Sequence, residues 1–292
     1  MQKVITHDGS FHTDDVFAVA ALQLYLGIDE VEVIRTRDAK IMESADWLVD
    51  VGGVYDPATK RFDHHQDGAP VRESGLPYAA FGLVWREIGE VLVGSAEGAT
   101  TIDERLVQPV DAGDNGVSLY KLSGEIAPFE LYNVIGLHAP VWGSTEDKNI
   151  AFLEAVETAR MILEKMITHV QAGEAAKAYA AACYEAAEDK RVVVCDQSVG
   201  KGYFVDYEDV LFVITPSEGV VEQTWRATAL PKNHHTFETR VPFPEAWCGL
   251  RDAELQKVSD VGDARFVHKA GFLFVAESKD SAIEAVQRVL NQ

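Results

Sequence analysis

Cysteine is scarce in this chain: Cys183, Cys195 and Cys248 are the only three in 292 residues, with no Cys-x-x-Cys pair. An odd number at these spacings excludes a disulfide framework and a zinc ribbon, and favours a reducing compartment. No apolar run approaches membrane-spanning length, and the opening MQKVITHDGS has no apolar signal core. A cytoplasmic location and no membrane partner are the expectations. Positive charge is also short, with 26 Lys and Arg against 47 Asp and Glu, for a net charge of −21. A surface this acidic repels polyanions at long range and speaks against a generic nucleic-acid coat. The deficit is uneven. Between Trp225 and Lys269 seven Lys/Arg nearly balance six Asp/Glu, leaving −22 for the rest. That near-neutral stretch is where a phosphate site is expected.

What the chain does have is length and order. Its size allows two domains. Val4–Thr6, Val31–Thr36 and Trp47–Val51 read as strands, and Asp14–Leu26 reads as a helix with Thr13 as N-cap. Strand–helix–strand at this spacing predicts a parallel sheet with right-handed crossovers, and ligands bind beyond the carboxyl ends of such strands. Helices are expected at about 78–93 and 102–112, then one or two long helices from 148 to 189 with Gly173 as the break. Strands follow at 191–195, 210–215, 225–229 and 271–275, with a closing helix from Ser281. The fold class is thus α/β, divided into residues 1–144, a helical connector 145–189, and a smaller α/β domain 190–292.

The chemistry concentrates at two strand ends. His7 ends the first strand, and a turn at Gly9 lets His12 and Asp14 face the same cleft. Asp50 ends the buried run Leu48–Val49, where an unpaired carboxylate needs a cation or an arginine. Its two oxygens suit a bridge between two ions. His64, from Arg61-Phe-Asp-His-His-Gln66, completes the set, with His65 toward a scissile phosphate and Asp63 orienting an imidazole. Asp111 or Asp114 supplies a distal carboxylate, and spacing does not choose between them. Imidazole with carboxylate suits Mn²⁺, Zn²⁺ or Fe²⁺, and two such ions side by side serve attack on phosphorus. In the second half Arg240 and Arg251 are candidate phosphate contacts, His268 could meet the substrate end, and Trp225 and Trp247 could stack bases.

These residues carry a resemblance. His7-Asp-Gly-Ser-Phe-His12-Thr-Asp14-Asp15, Val49-Asp50-Val-Gly-Gly-Val-Tyr-Asp-Pro, Arg61-Phe-Asp-His-His-Gln66 and Val110-Asp-Ala-Gly-Asp-Asn-Gly116 together resemble the MYG family of the DHH phosphoesterase superfamily. Trp225-Arg226, Phe237, Arg240, Pro242, Trp247-Cys-Gly-Leu-Arg-Asp252 and Phe266-Val-His-Lys-Ala-Gly-Phe272 extend it over the whole chain. The resemblance implies a Rossmann-like DHH catalytic domain, a helical connector and a substrate-binding domain. It implies two manganese ions and 3′–5′ exonuclease activity on RNA or short oligonucleotides. By motif position His7, His12, Asp14, Asp50, His64 and Asp111 match the metal ligands, and His65 matches the phosphate-contacting histidine. Asp114 is left as a substrate contact. Many superfamily members carry Asp where His12 stands, which would shift the metal preference toward softer ions. Competing readings are a hydrolase of small phosphates (cyclic dinucleotide, nucleoside bisphosphate or pyrophosphate) and a non-catalytic metal-binding regulator. Apolar strips on the long helices would suit a homodimer.

Overall fold

The computed structural model describes residues 1–217 and 223–291. The chain forms two compact units, Met1–Ala172 and Gly173–Gln292. The first runs β1 (Gln2–Thr6), α1 (Thr13–Leu26), β2 (Val31–Arg35), α2 (Ala39–Met42), β3 (Trp47–Val49), β4 (Tyr55–Asp56) and β5 (Arg61–Phe62). Helices α3 (Ala80–Val93), α4 (Ala96–Ile102), α5 (Gln108–Asp114) and α6 (Leu131–Gly136) follow. Then α7 spans Lys148–Ala186. The second unit takes the end of α7 and adds β6 (Val192–Val194), β7 (Phe212–Ser217), β8 (Thr224–Ala229), α8 (Asp252–Ser259), β9 (Ala264–Val267), β10 (Leu273–Ala276) and α9 (Lys279–Leu290).

The first sheet has the order β2-β1-β3-β5-β4. Its first four strands are parallel, as the strand–helix–strand spacing predicts, while β4 pairs antiparallel with β5. The short link between β4 and β5, turned by Lys60 at φ +60°, has no room for a crossover, so it closes a hairpin. Helix α1 is buried on all sides from Asp14 to Leu22, which explains a sequence apolar around its whole circumference. Phe17 packs on Phe81 of α3 with ring centroids 5.4 Å apart. Each large side chain buried this way contributes about 1.5–3 kcal/mol.

Helix α7 differs from the expectation. It runs unbroken through Gly173 for 39 residues, because one glycine costs only about 1 kcal/mol and its flanks, Gln171-Ala and Glu174-Ala-Ala, are good helix formers. The early turns place Phe152, Val156 and Leu163 in the first core. In the second unit Ala180 joins Val193, Cys195 and Val213 in a core. The second sheet, β6-β7-β8-β10-β9, is antiparallel except for β6–β7. Strand β9 and helix α8 lie in a stretch to which the sequence reading assigns no element.

Between α4 and α5 the helix loosens into a π-turn over Asp103–Val107. Beside it sits a buried pair: Arg72 Nη1 lies 2.6 Å from Asp111 Oδ2, and Arg72 Nη2 donates to Asp103 Oδ1 at 3.0 Å. The Gly82 amide donates to Asp111 Oδ1 at 3.0 Å. Burial pushes the Asp111 carboxyl up to about 7 against the pull of Arg72, so the pair holds its charge only while that partner is present. A Cβ on Gly82 would stand 1.9 Å from Asp111 Oδ2, so only glycine admits the carboxylate here. Arg72→Ala should therefore lower unfolding free energy by about 3–5 kcal/mol. Gly82→Ala should lower it by about 1–3 kcal/mol. Urea titration at neutral pH measures both, and a midpoint unchanged in Arg72→Ala would refute the role of the pair.

Candidate functional site

Register brings the site together. Ile5 pairs with Leu48 and Val49 with Phe62, so His7, Asp50 and Asp63 emerge at one level, where the three parallel strands end. Asp50 leaves β3 with φ +55°, a left-handed conformation that aspartate tolerates better than bulkier residues. Its amide still donates to Phe62 O at 3.0 Å, tying the turn to β5. Gly9, at φ +93°, returns the chain so that the His7 and His12 rings lie 5.8 Å apart. Thr13 is not the N-cap of α1. His12 holds that position, and the Asp15 carboxylate accepts its amide at 2.9 Å.

Asp50 is the centre. One oxygen lies 3.2 Å from His7 Nε2 and the other 3.3 Å from His64 Nε2. His64 Nε2 also meets Asp114 at 3.3 Å and Asp14 at 3.9 Å. His12 Nδ1 stands 3.7 Å from Asp114, and His7 Nε2 stands 3.3 Å from Asp15. Three groups thus offer ligand atoms within 4.8 Å of one another: His7, His12 and Asp50; Asp50, His64 and His65; and His12, Asp14 and Asp114. Asp14 Oδ1, Asp15 Oδ2, Asp50 Oδ1 and His64 Nε2 are buried without a hydrogen bond. Their approaches of 3.3 Å or more exceed the ~2.7–2.9 Å of a charge-assisted bond. Buried donors and acceptors left in that state fit cations, and the nitrogen–oxygen set fits Mn²⁺, Zn²⁺ or Fe²⁺.

The electrostatics of the cluster run the same way. Burial drives Asp14 well above the usual carboxylate range, with the charges of Asp50, Asp114 and Asp15 adding to it. Burial likewise pushes Asp15 up to about 7, against the pull of His7. Asp50 is the exception: burial would raise it, but the imidazoles of His64 and His7 beside its two oxygens bring it down to about 2. Burial opposes the charged forms of His7 and His64, yet their carboxylate neighbours outweigh it and raise both above 6.5.

Asp63 accepts from the Gly53 amide at 2.6 Å, the His65 amide at 3.1 Å and His65 Nδ1 at 2.7 Å. A carboxylate can only accept, so the His65 proton sits on Nδ1 and Nε2 is left to the open side of an exposed ring. Asp111 is not brought to the cluster. It is turned onto Arg72, and Asp114, one helical turn on, stands beside His12, Asp14 and His64. Sequence reading misses Arg72, because nothing local marks its partner, and gives no role to Asp15 within its motif, because an acidic first helical turn is ordinary.

In the second unit Arg240 is not a free phosphate donor. Its guanidinium donates to the carbonyls of Tyr207 and Val210 at 2.6 Å and of Val205 at 2.5 Å, closing a loop. Trp247 is core, packed with Phe243 and Phe274. Lys279 Nζ lies over the Trp225 ring, 5.4 Å from its centroid. Arg251 is exposed and lies over Phe266 at 4.4 Å. His268 Nδ1 accepts the Ala270 amide at 3.1 Å, so its proton is on Nε2.

The geometry defines an α/β protein with a His/Asp centre at the carboxyl edge of a parallel sheet. The chain belongs to the MYG1 exonuclease family, described as an uncharacterised protein family (UPF0160), whose model matches residues 3–290. The MYG1 exonuclease of Mus musculus is 29% identical over 334 residues, covering 99% of this chain and 85% of its own. The MYG1 protein of Schizosaccharomyces pombe is 27% identical over 318 residues, covering 99% and 97%. Among solved structures, the pGpG-specific phosphodiesterase PggH of Vibrio cholerae aligns over 99% of this chain and 97% of its own at 11% identity. Its TM-score of 0.33 is too low to bear on function. No helix among the described residues is long and apolar enough to cross a membrane.

A pH dependence follows from the raised groups. Asp15 binds its proton more tightly folded than unfolded, so its contribution to stability is lost as pH rises from 3.8 to about 7. The contributions of His7 and His64 are present below 6.5 and lost as pH rises through their higher folded values. In EDTA the melting temperature should fall from about pH 6 to about pH 8, and Mn²⁺ should raise it more at the higher pH, because ions displace those protons. A Mn²⁺ shift independent of pH would contradict this linkage.

Proposed function

We propose that this protein is a manganese-dependent phosphoesterase of the DHH superfamily, removing nucleotides from the 3′ end of RNA or short oligonucleotides. The observation that carries the reading is Asp50, buried, left-handed, and divided between His7 and His64. The exonuclease name of the mouse relative supports the reaction class. His7, His12, Asp14, Asp50 and His64 would hold two ions, with Asp114 rather than Asp111 completing the set. Bound there, two divalent ions lower the pKa of a water and neutralise the phosphate oxygens. Asp50 sets the spacing of the two halves of the cluster. Asp14 and Asp15 give up protons as the site fills. Asp63 orients His65 through Nδ1; with a proton on both ring nitrogens, Nε2–H would donate to the scissile phosphate or to the leaving oxygen. On the second unit Arg251 and His268 Nε2 are candidate donors to a substrate phosphate. Three free cysteines accord with a cytoplasmic enzyme.

Hydrolysis of a 5′-labelled RNA ladder, from dinucleotide to about twenty nucleotides, in Mn²⁺, Mg²⁺ or EDTA tests the proposal. Stepwise shortening from the 3′ end with Mn²⁺ is expected. Asp50→Asn should lose about 100-fold or more in kcat while its fold, by circular dichroism, is kept. Full turnover by that variant at saturating Mn²⁺ would end the bridging role. Silence on every RNA, with pyrophosphate or a cyclic dinucleotide cleaved, would favour the small-phosphate reading.

A further inference from the structure

Beside the His/Asp centre, and within the same unit, lies a cavity of about 820 Å³ that the reaction as proposed leaves unused. His12 and Asp114 form part of its wall, and these two also belong to one of the candidate ligand groups. Cavity and centre are therefore continuous. The floor is apolar, made by Leu106, Val110 and Ile135, all buried core residues. The sides carry rings from Phe11, Tyr120 and Tyr132. Two charged side chains, Arg105 and Glu130, complete the polar part, and the Tyr120 hydroxyl donates to Glu130. The volume falls in the range of pockets that enclose a small organic ligand, about 300–1,000 Å³.

A phosphate or pyrophosphate is polar on every side and gains nothing from such walls. A nucleobase has what they fit: flat apolar faces for rings and aliphatic side chains, and an edge of donors and acceptors for a guanidinium and a carboxylate. We propose that this cavity seats the base of the nucleotide whose phosphate lies on the His/Asp centre. The proposal rests on the phosphoesterase reading and narrows it, since the site then selects nucleotides over small phosphates through the catalytic unit itself. Arg105 and Glu130 address the base edge, while Phe11, Tyr120 and Tyr132 enclose its faces.

Gly136 allows a test. It lines the cavity, and a Cβ there meets nothing within 4 Å, so Gly136→Phe fills space without a clash at the backbone. Adenosine, which has the base and no phosphate, is the probe, measured by equilibrium dialysis against ribose as control. The wild-type protein should bind adenosine and not ribose. Gly136→Phe, and separately Tyr132→Ala, should weaken adenosine about 10-fold while the Mn²⁺-induced rise in melting temperature is kept. In cleavage, a dinucleotide with one abasic end should show a KM about 10-fold higher than the intact dinucleotide for the wild type. That difference should vanish in Gly136→Phe. Absence of adenosine binding, or binding untouched by both variants, overturns the base site even if RNA is cleaved. Adenosine binding lost in the variants, with no phosphoester cleaved by any form, keeps the base site and sinks the exonuclease reading instead.

Discussion

Everything at the centre depends on a single buried carboxylate. Asp50 sits between His7 and His64, and its own backbone is held left-handed by the hydrogen bond to β5. If it were relaxed to an extended conformation, its side chain would return to one face of the sheet and the two imidazoles would lose their common partner. Strain of this kind costs on the order of 1–3 kcal/mol and persists only where the surroundings enforce it. Here the enforcement comes from the parallel register of β1, β3 and β5, which brings three strand ends to one line.

A second constraint supports the first from behind. The N-terminus of α3 receives two carboxylates: Asp14 accepts the Ala80 amide at 3.3 Å and Asp111 the Gly82 amide at 3.0 Å. Backbone amides with no partner inside the helix, and the positive end of the helix dipole, are thereby satisfied. Asp14 Oδ2 thus lies between the helix amide and His64, while Oδ1 is buried without a hydrogen bond. Asp111, paired with Arg72, serves the helix alone.

What was legible in the sequence follows from this division. Strand ends are readable because β-branched runs stop at polar residues, so His7, Asp50, His64 and the Asp63–His65 couple could be named and brought to one edge. The choice between Asp111 and Asp114 could not be read, because it turns on Arg72, 39 positions away in sequence from one of them, and on the absence of a Cβ at Gly82. Arg240 misled for a related reason. An arginine near acidic residues reads as a donor in search of an anion, yet it spends its hydrogens on three backbone carbonyls that the sequence does not mark. Gly173 reads as the break in the long helix, but the helix formers on both sides outweigh one glycine and α7 runs on, although the second compact unit begins at this residue.

The π-turn at Asp103–Val107 has a consequence for how this gene can change. Such a turn holds one residue more than a regular helix would, and each residue of a helix turns the chain by about 100°. Deleting one codon in this stretch would restore an even helix and swing Asp111 away from Arg72 and Asp114 away from His64 together. Length is constrained here in its own right, apart from the side chains: lineages descended from this sequence should keep the count of the segment.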